Sequence, residues 1–242
     1  MQNFAASRIV AVVKVLDNIF WNALTGAQAK FASGTGDARR FARGFSPIIG
    51  FKDAQRPDFA ALEPYCEPGE HFYCADWTGA APHGWEIEAE ATMYQMVWDA
   101  PAPEQVEDAR IVPLLAGHAP MAAELAALTQ PGPFGPRTPE LGHYLGVFRE
   151  GRLVAMAGER MHASPWREIS AVCTHPQARG EGHAARLMTR LVGRQLARGE
   201  RPFLHVMHDN ATALALYERL GFRTLAVSVV RVVTRDAAAG DA

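Results

Sequence analysis

Gly180 and Gly182 stand between a run of small and β-branched residues and a long amphipathic stretch. The whole segment, Glu168 to Met188, reads Glu-Ile-Ser-Ala-Val-Cys-Thr-His-Pro-Gln-Ala-Arg-Gly-Glu-Gly-His-Ala-Ala-Arg-Leu-Met. Its first half is a strand pattern that ends at Thr174, His175-Pro176 breaks it, and Arg179 to Ala184 opens a helix. Two glycines let a ligand approach the backbone closely and expose consecutive N–H groups. A helix N-terminus carries roughly half a positive charge. Together these features suit an anion, and in particular a pyrophosphate. A dinucleotide fingerprint is a second reading, since Gly180-x-Gly182-x-x-Ala185 fits it formally and Glu200 lies 20 residues beyond Gly180. Against it, five residues separate Thr174 from Gly180, whereas that motif follows its strand directly. A helix-start turn without a ligand is the third reading.

Other chemistry-bearing residues are weaker signals. Cys66, His71 and Cys74 have metal-ligand types, but no second pair has ligand spacing, so no metal is expected. Cys173 sits in mid-strand and reads as a buried structural thiol. Arg186, Arg190, Arg194 and Arg198 recur every four residues, which describes a solvated helix face or a row that meets a phosphate.

The elements that must position these residues emerge from periodicity. Arg110 to Leu115, His143 to Phe148, Arg152 to Met161, Trp166 to Thr174, Pro202 to Met207 and Phe222 to Val233 read as strands. Pro120 to Leu128, Gly182 to Arg198 and Ala211 to Leu220 read as helices, the last two stopped by Gly199 and Gly221. Ile9 to Leu24 repeats apolar residues at helical spacing, and Lys14, Asp17 and Asn18 interrupt it, so neither a membrane span nor a secretory leader is expected. Residues 32–44, rich in Gly and Arg, read as a mobile loop. Residues 99–109 read as an interdomain linker, 130–139 as a long proline-rich loop, and Asp236 to Ala242 as a frayed tail. An apolar content of 48% and a net charge of −2 exclude disorder over most of the length and leave no basic field for nucleic acid or anionic lipid. Three cysteines fit a reducing, cytoplasmic compartment.

Arg179-x-x-Gly182-x-Ala184 resembles the pyrophosphate motif of the GCN5-related N-acetyltransferases. Ala171 to Pro176 is similar to the strand before that motif in the FR47-like branch, and Asn210-Ala211 with Tyr217 to Phe222 resembles a second family block. The resemblance spans about residues 106–233. It implies an α/β fold with a mixed, mostly antiparallel sheet: an acetyltransferase domain over residues 106–235 behind a smaller α+β domain over residues 1–100. Phe20 to Gly26 and Tyr94 to Val97 resemble the extra N-terminal domain of some FR47-like proteins.

The resemblance also implies roles. Acetyl-CoA would be the co-substrate, and the acceptor an amine of a small molecule or peptide that attacks directly. The protein would be a monomer or homodimer that engages neither nucleic acid nor membrane. The backbone of Val172, Cys173 and Thr174 would pair with the pantetheine arm and polarise the thioester. Arg179, Gly180, Glu181, Gly182, His183 and Ala184 would hold the pyrophosphate, Glu181 through its backbone and His183 with its ring packed. Asn210 would bond the pantetheine arm or cap the following helix. Tyr217 would be the general acid. Glu168, 11 residues before Arg179, would be the general base, with His143, His162 and His208 in reserve. Phe134 and Arg137, in the proline-rich loop, would meet the acceptor. A coenzyme A-binding sensor or scaffold without catalysis is the alternative.

Overall fold

The computed structural model describes residues 14–104 and 108–236. The first residues of the expected Ile9–Leu24 helix, the centre of the 99–109 linker and the tail after Asp236 lie outside the described residues. Past Lys14 the chain forms a 3₁₀ turn, Leu16–Asn18, and a short helix α1, Ile19–Thr25. Asn18 separates the two. Its side-chain oxygen accepts the Trp21 N–H at 3.4 Å as an N-cap, and its amide donates to the Phe51 carbonyl at 2.8 Å.

The described residues hold eleven strands, numbered in chain order. Strands β1 (Ala32–Ser33), β2 (Ala38–Phe41) and β3 (Ile49–Phe51) form a small antiparallel sheet. The segment expected to be a mobile loop is therefore mostly a hairpin. Its apolar Ala38 and Phe41 are buried, and Arg40, also buried, forks onto the Glu70 carboxylate. A paired guanidinium can sit where a free one could not.

The main sheet has eight strands in the order β4-β11-β5-β10-β9-β8-β7-β6. They are β4 (His71–Ala75), β5 (Trp85–Trp98), β6 (Ile111–Pro113), β7 (Tyr144–Arg149), β8 (Arg152–Ala163), β9 (Trp166–Thr174), β10 (Arg201–Met207) and β11 (Phe222–Arg235). Every neighbouring pair is antiparallel except β9 and β10. The mixed, mostly antiparallel sheet expected from the sequence is observed, but no sheet boundary falls near residue 100. Strand β5, which ends before residue 100, lies between β10 and β11, so the 99–109 segment joins strands of one sheet.

The described residues hold three further helices: α2 (Ala119–Thr129), α3 (His183–Ala197) and α4 (Ala211–Leu220). One sheet face meets α3 and α4, where Leu187, Met188 and Leu191 pack against Ile169, Leu204 and Val206. The other face meets α1, the small sheet and α2. There Phe20, Leu24 and Ile48 pack on Met93 and Phe203, and Leu125 and Ala126 on Tyr144 and Met156. Strand alternation explains the sorting, since Phe203 and Leu204 are neighbours in β10 and face opposite ways. Each fully buried leucine contributes about 1.5–3 kcal/mol.

Candidate active site

Strands β9 and β10 start together and then diverge. Their parallel pairing covers only Arg201↔Trp166, Pro202↔Arg167 and Phe203↔Glu168. Beyond Phe203, β10 continues alongside β5 as far as Met207↔Met93. Between Ile169 and Thr174 the β10-facing edge of β9 therefore carries no strand, and an extended ligand could add to it. A bulge lies in this stretch. Met156↔Cys173 and Gly158↔Ser170 leave Ala171 and Val172 opposite the single residue Ala157, and Ala171 has φ +52. Such a conformation in a non-glycine strand residue is strained, and bulges of this kind re-aim backbone groups beside functional sites.

After Thr174 the chain makes one 3₁₀ turn, Pro176–Ala178, and enters α3 through Gly180 and Gly182, with φ +81 and +75. The backbone N–H groups from Gly180 to Ala185 have no hydrogen-bond partner among the described residues, and no side chain caps α3. That array of donors at a helix N-terminus fits a pyrophosphate. The Glu181 carboxylate is held by Arg149 and by His183 Nε2 at 3.2 Å, which leaves its backbone to the site. His183 is buried, and its Nδ1 meets Arg186 at 3.0 Å. Two members of the arginine row are ion-paired: Arg186 with Asp108, and Arg198, just past the end of α3, with Glu159 and Glu200, while Arg190 donates to the Asp108 carbonyl.

The gap between β9 and β10 opens into a cleft of about 820 Å³. Ser170, Ala171, Val172, Asn210 and Tyr217 line one end; Phe20, Ile48, Ala91, Met93, Val230 and Val232 line the other. Residues before 100 thus wall the same cleft as Val172 and Asn210, two of the expected cofactor residues; Cys173, Thr174 and Arg179 to Ala184 do not line it. Tyr217 is 8% exposed. Burial pushes its hydroxyl up to about 12, so it is a protonated donor near neutral pH. Asn210 caps α4 through Oδ1, which accepts the Ala213 N–H at 3.1 Å. The cap occupies only the oxygen, so the two roles expected to compete are compatible, with Nδ2 left at the cleft. Phe134 lines the cleft and meets Tyr144 edge-on at 6.2 Å. Arg137 does not line it. Its guanidinium binds Glu140 through two 2.8 Å bonds and stacks 4.3 Å from the Phe45 ring centroid. The expectation that Arg137 meets the acceptor is corrected by those contacts.

Glu168 is fully buried and does not line the cleft. A second bulge, in β8, sets Arg160 and Met161 against it. Arg160 donates from Nη2 at 2.7 Å and Nε at 2.8 Å, the Met161 N–H donates at 3.2 Å, and His205 Nδ1 lies 2.9 Å away. The carboxylate's acceptor positions are filled. Although burial alone would raise it, the Arg160 charge and bonds hold it down at about 2. A group so held is a poor proton acceptor, and the general-base expectation for Glu168 does not fit.

His205 lines the cleft, and sequence reasoning missed it. Its only signal was a polar residue inside the apolar run Phe203 to Met207. Gln95 Nε2 lies 3.3 Å from both the Leu16 carbonyl and His205 Nε2. The carbonyl requires a donor there, so Gln95 donates to Nε2 and the ring proton sits on Nδ1, facing Glu168. None of the reserve histidines lines the cleft, and His208 stacks 5.2 Å from Tyr94. Burial pushes the Cys173 thiol up to about 11, which suits an inert thiol. Among the described residues, no group of three His, Cys, Asp or Glu could hold a metal, and no helix is long and apolar enough to cross a membrane.

Comparison with known proteins agrees with this fold. Residues 144–232 match the FR47-like protein family model. The N-alpha-acetyltransferase RimI of Mycobacterium tuberculosis is 37% identical over 84 residues, a match that spans 34% of this chain and 52% of that protein. A GNAT-family crystal structure from Novosphingobium aromaticivorans is 34% identical, with a TM-score of 0.83 over 91% of this chain and 98% of that one. A GCN5-related N-acetyltransferase from Kribbella flavida shares the fold at 17% identity, with a TM-score of 0.54 and 95% of each chain covered.

Proposed function

The chain belongs to the GCN5-related N-acetyltransferase (GNAT) family, and from that premise we propose that it is an acyl-CoA-dependent N-acyltransferase that takes acetyl from acetyl-CoA and passes it to an amine by direct attack. The observation that carries the reading is the gap between β9 and β10. Three features support it: unpaired amides at Gly180–Ala185, the open edge of β9 that precedes them in the chain, and Tyr217 in the cleft beside that edge.

Bound acetyl-CoA would supply an acyl thioester at the bulge. The Gly180–Ala185 amides and Arg179 hold the pyrophosphate. The backbone of Val172, Cys173 and Thr174 pairs with the pantetheine arm, and Asn210 Nδ2 bonds its amide. N–H groups at the bulge donate to the thioester carbonyl oxygen, as an oxyanion hole does. As the amine forms its C–N bond and the C–S bond breaks, Tyr217 would donate a hydrogen bond toward the leaving sulfur, and the proton released by the nitrogen passes through water to the thiolate, giving the amide and free thiol. A thiol sits near 8.5, so complete transfer from a hydroxyl held at about 12 is uphill by about 5 kcal/mol. Tyr217 therefore acts chiefly as a hydrogen-bond donor to the sulfur. Cleft residues Phe134, Phe20 and Ile48 meet the acceptor body.

Isothermal titration tests this, with acetyl-CoA as ligand and NADH as control. Acetyl-CoA binding without NADH binding is expected, followed by thiol release when an amine is added. NADH binding alone would revive the dinucleotide reading. Acetyl-CoA binding with no thiol release across an amine panel would favour the sensor or scaffold.

A further inference from the structure

Resting on the acyl-transfer reading, we propose that the acceptor carries its amine on an extended hydrocarbon body with no second charge, and that this body lies on an apolar plate formed by β4, β11 and β5.

Strand alternation builds the plate. In β5, Ala89 and Ala91 line the cleft and Glu90 between them does not. In β11, Val230 and Val232 line it and Arg231 between them does not. Glu90 and Arg231 meet on the opposite face, where Arg231 Nε donates to the carboxylate at 2.7 Å. The register sets Ala91 beside Val230, Ala89 beside Val232, and Tyr73 of β4 beyond Val232. The charges at these positions are thus turned away, and apolar side chains with one phenol face the cleft. Ala89 is exposed, and Tyr73, Ala91 and Val232 are half-buried, so α1 and the small sheet leave part of this face open. An apolar body laid on it would release the water held there.

The plate shares its cleft with the reaction centre. One space of about 820 Å³ holds it together with Ser170, Ala171, Val172 and Tyr217. Pockets of about 300–1,000 Å³ take a small organic molecule, so there is room for an acceptor body beyond the thioester. Charge then selects the class of body. Among the described residues no Asp, Glu or Lys lines the cleft. Arg160, its one arginine, is already neutralised by two bonds to the buried Glu168. The lining therefore offers no counter-ion to the further ammonium groups of a polyamine or a basic peptide, which would lose their water without a partner. A hydrocarbon body meets no such cost and gains about 4-fold in kcat/KM for each methylene it buries.

The test follows thiol release by the full chain, with saturating acetyl-CoA, for propylamine, butylamine, pentylamine and hexylamine at one pH. All four are about as basic as a lysine side chain, about 10.4, so basicity cancels along the series. The expected kcat/KM rises about 4-fold per methylene, or about 60-fold from propylamine to hexylamine. Hexylamine with a second ammonium at its far end, 1,6-diaminohexane, should be at least about 10-fold poorer than hexylamine. A flat series, or a diamine as good as hexylamine, would overturn the inference. A second readout uses Ala89→Glu, which places a carboxylate on an exposed position of the plate. That variant should narrow the preference for hexylamine over the diamine by up to about 5-fold, the contribution of a screened charge pair. An unchanged ratio there would place the acceptor body elsewhere and also count against the inference. Acetyl-CoA titration and a wider amine panel separate the two layers. Thiol release with other amines but not with these overturns only the acceptor inference, whereas absence of acetyl-CoA binding, or of thiol release with any amine, overturns the acyl-transfer reading beneath it.

Discussion

Replacing Glu168 by glutamine keeps the side chain's shape and removes its charge. In the folded protein that charge meets Arg160 through two bonds, with the Met161 N–H and His205 Nδ1 alongside. The variant leaves the Arg160 guanidinium buried without a counter-charge and sets an amide NH₂ against other donors. Lowering of the carboxyl from 4.5 to about 2 corresponds to about 3 kcal/mol of stability, and loss of one member of a buried ion pair typically costs about 3–5 kcal/mol. Because the folded-state value lies below the ordinary one, this stabilisation is fully present above about pH 4.5 and is lost as the pH falls toward 2. Thermal unfolding of wild type and Glu168→Gln at pH 7 should show a midpoint lower by roughly 6–12 °C in the variant, given 2–4 °C per kcal/mol for a chain of this size. By pH 3 the difference should shrink to roughly less than half. Below its melting range the variant should keep the shape of the wild-type pH–rate profile. An unchanged midpoint together with abolished kcat would refute the anchoring role and restore Glu168 as the base.

The other predictions concern the proposed cofactor path. Tyr217→Phe should lower kcat by about 10²-fold where chemistry is rate-limiting, with acetyl-CoA affinity preserved in calorimetry; an unchanged kcat would remove this hydroxyl from the reaction. Gly182→Asp puts a side chain at φ +75, with its Cβ 3.2 Å from Arg186 Nη1, and a negative charge beside the pyrophosphate position. Acetyl-CoA binding should disappear while the circular dichroism spectrum stays native, and retained affinity would refute the motif assignment.

The cofactor half of the candidate site was legible in the sequence because it is built from local structure. A strand, a break, two glycines and a helix start are neighbours in the chain, so Trp166–Thr174 and Ala211–Leu220 have the bounds that periodicity gives them. Asn210 at its cap and Tyr217 on the inner face of α4 obey the same helical repeat. The sequence could also expect Phe134 near the acceptor, since the proline-rich loop sits where the family it resembles often builds its acceptor pocket. It could not foresee that Arg137, three residues on, would turn to Glu140 and Phe45.

Tertiary structure alone decided the rest. Whether Glu168 is a base or an anchor depends on Arg160, which reaches it only because a bulge in β8 shifts the register there. His205 is fixed by Gln95 and by the carbonyl of Leu16, 110 and 189 residues away in the chain. Strand β5 joins the middle of the main sheet rather than a separate domain, and so brings Ala89, Ala91 and Met93 to the cleft. The sequence by itself determined the glycine turn before α3 and the place of Tyr217 on α4 because short-range backbone geometry and helical spacing are written locally. The ion pairing of Glu168 and the far wall of the cleft were decided by the tertiary structure, because charge and burial depend on which distant strands pack together.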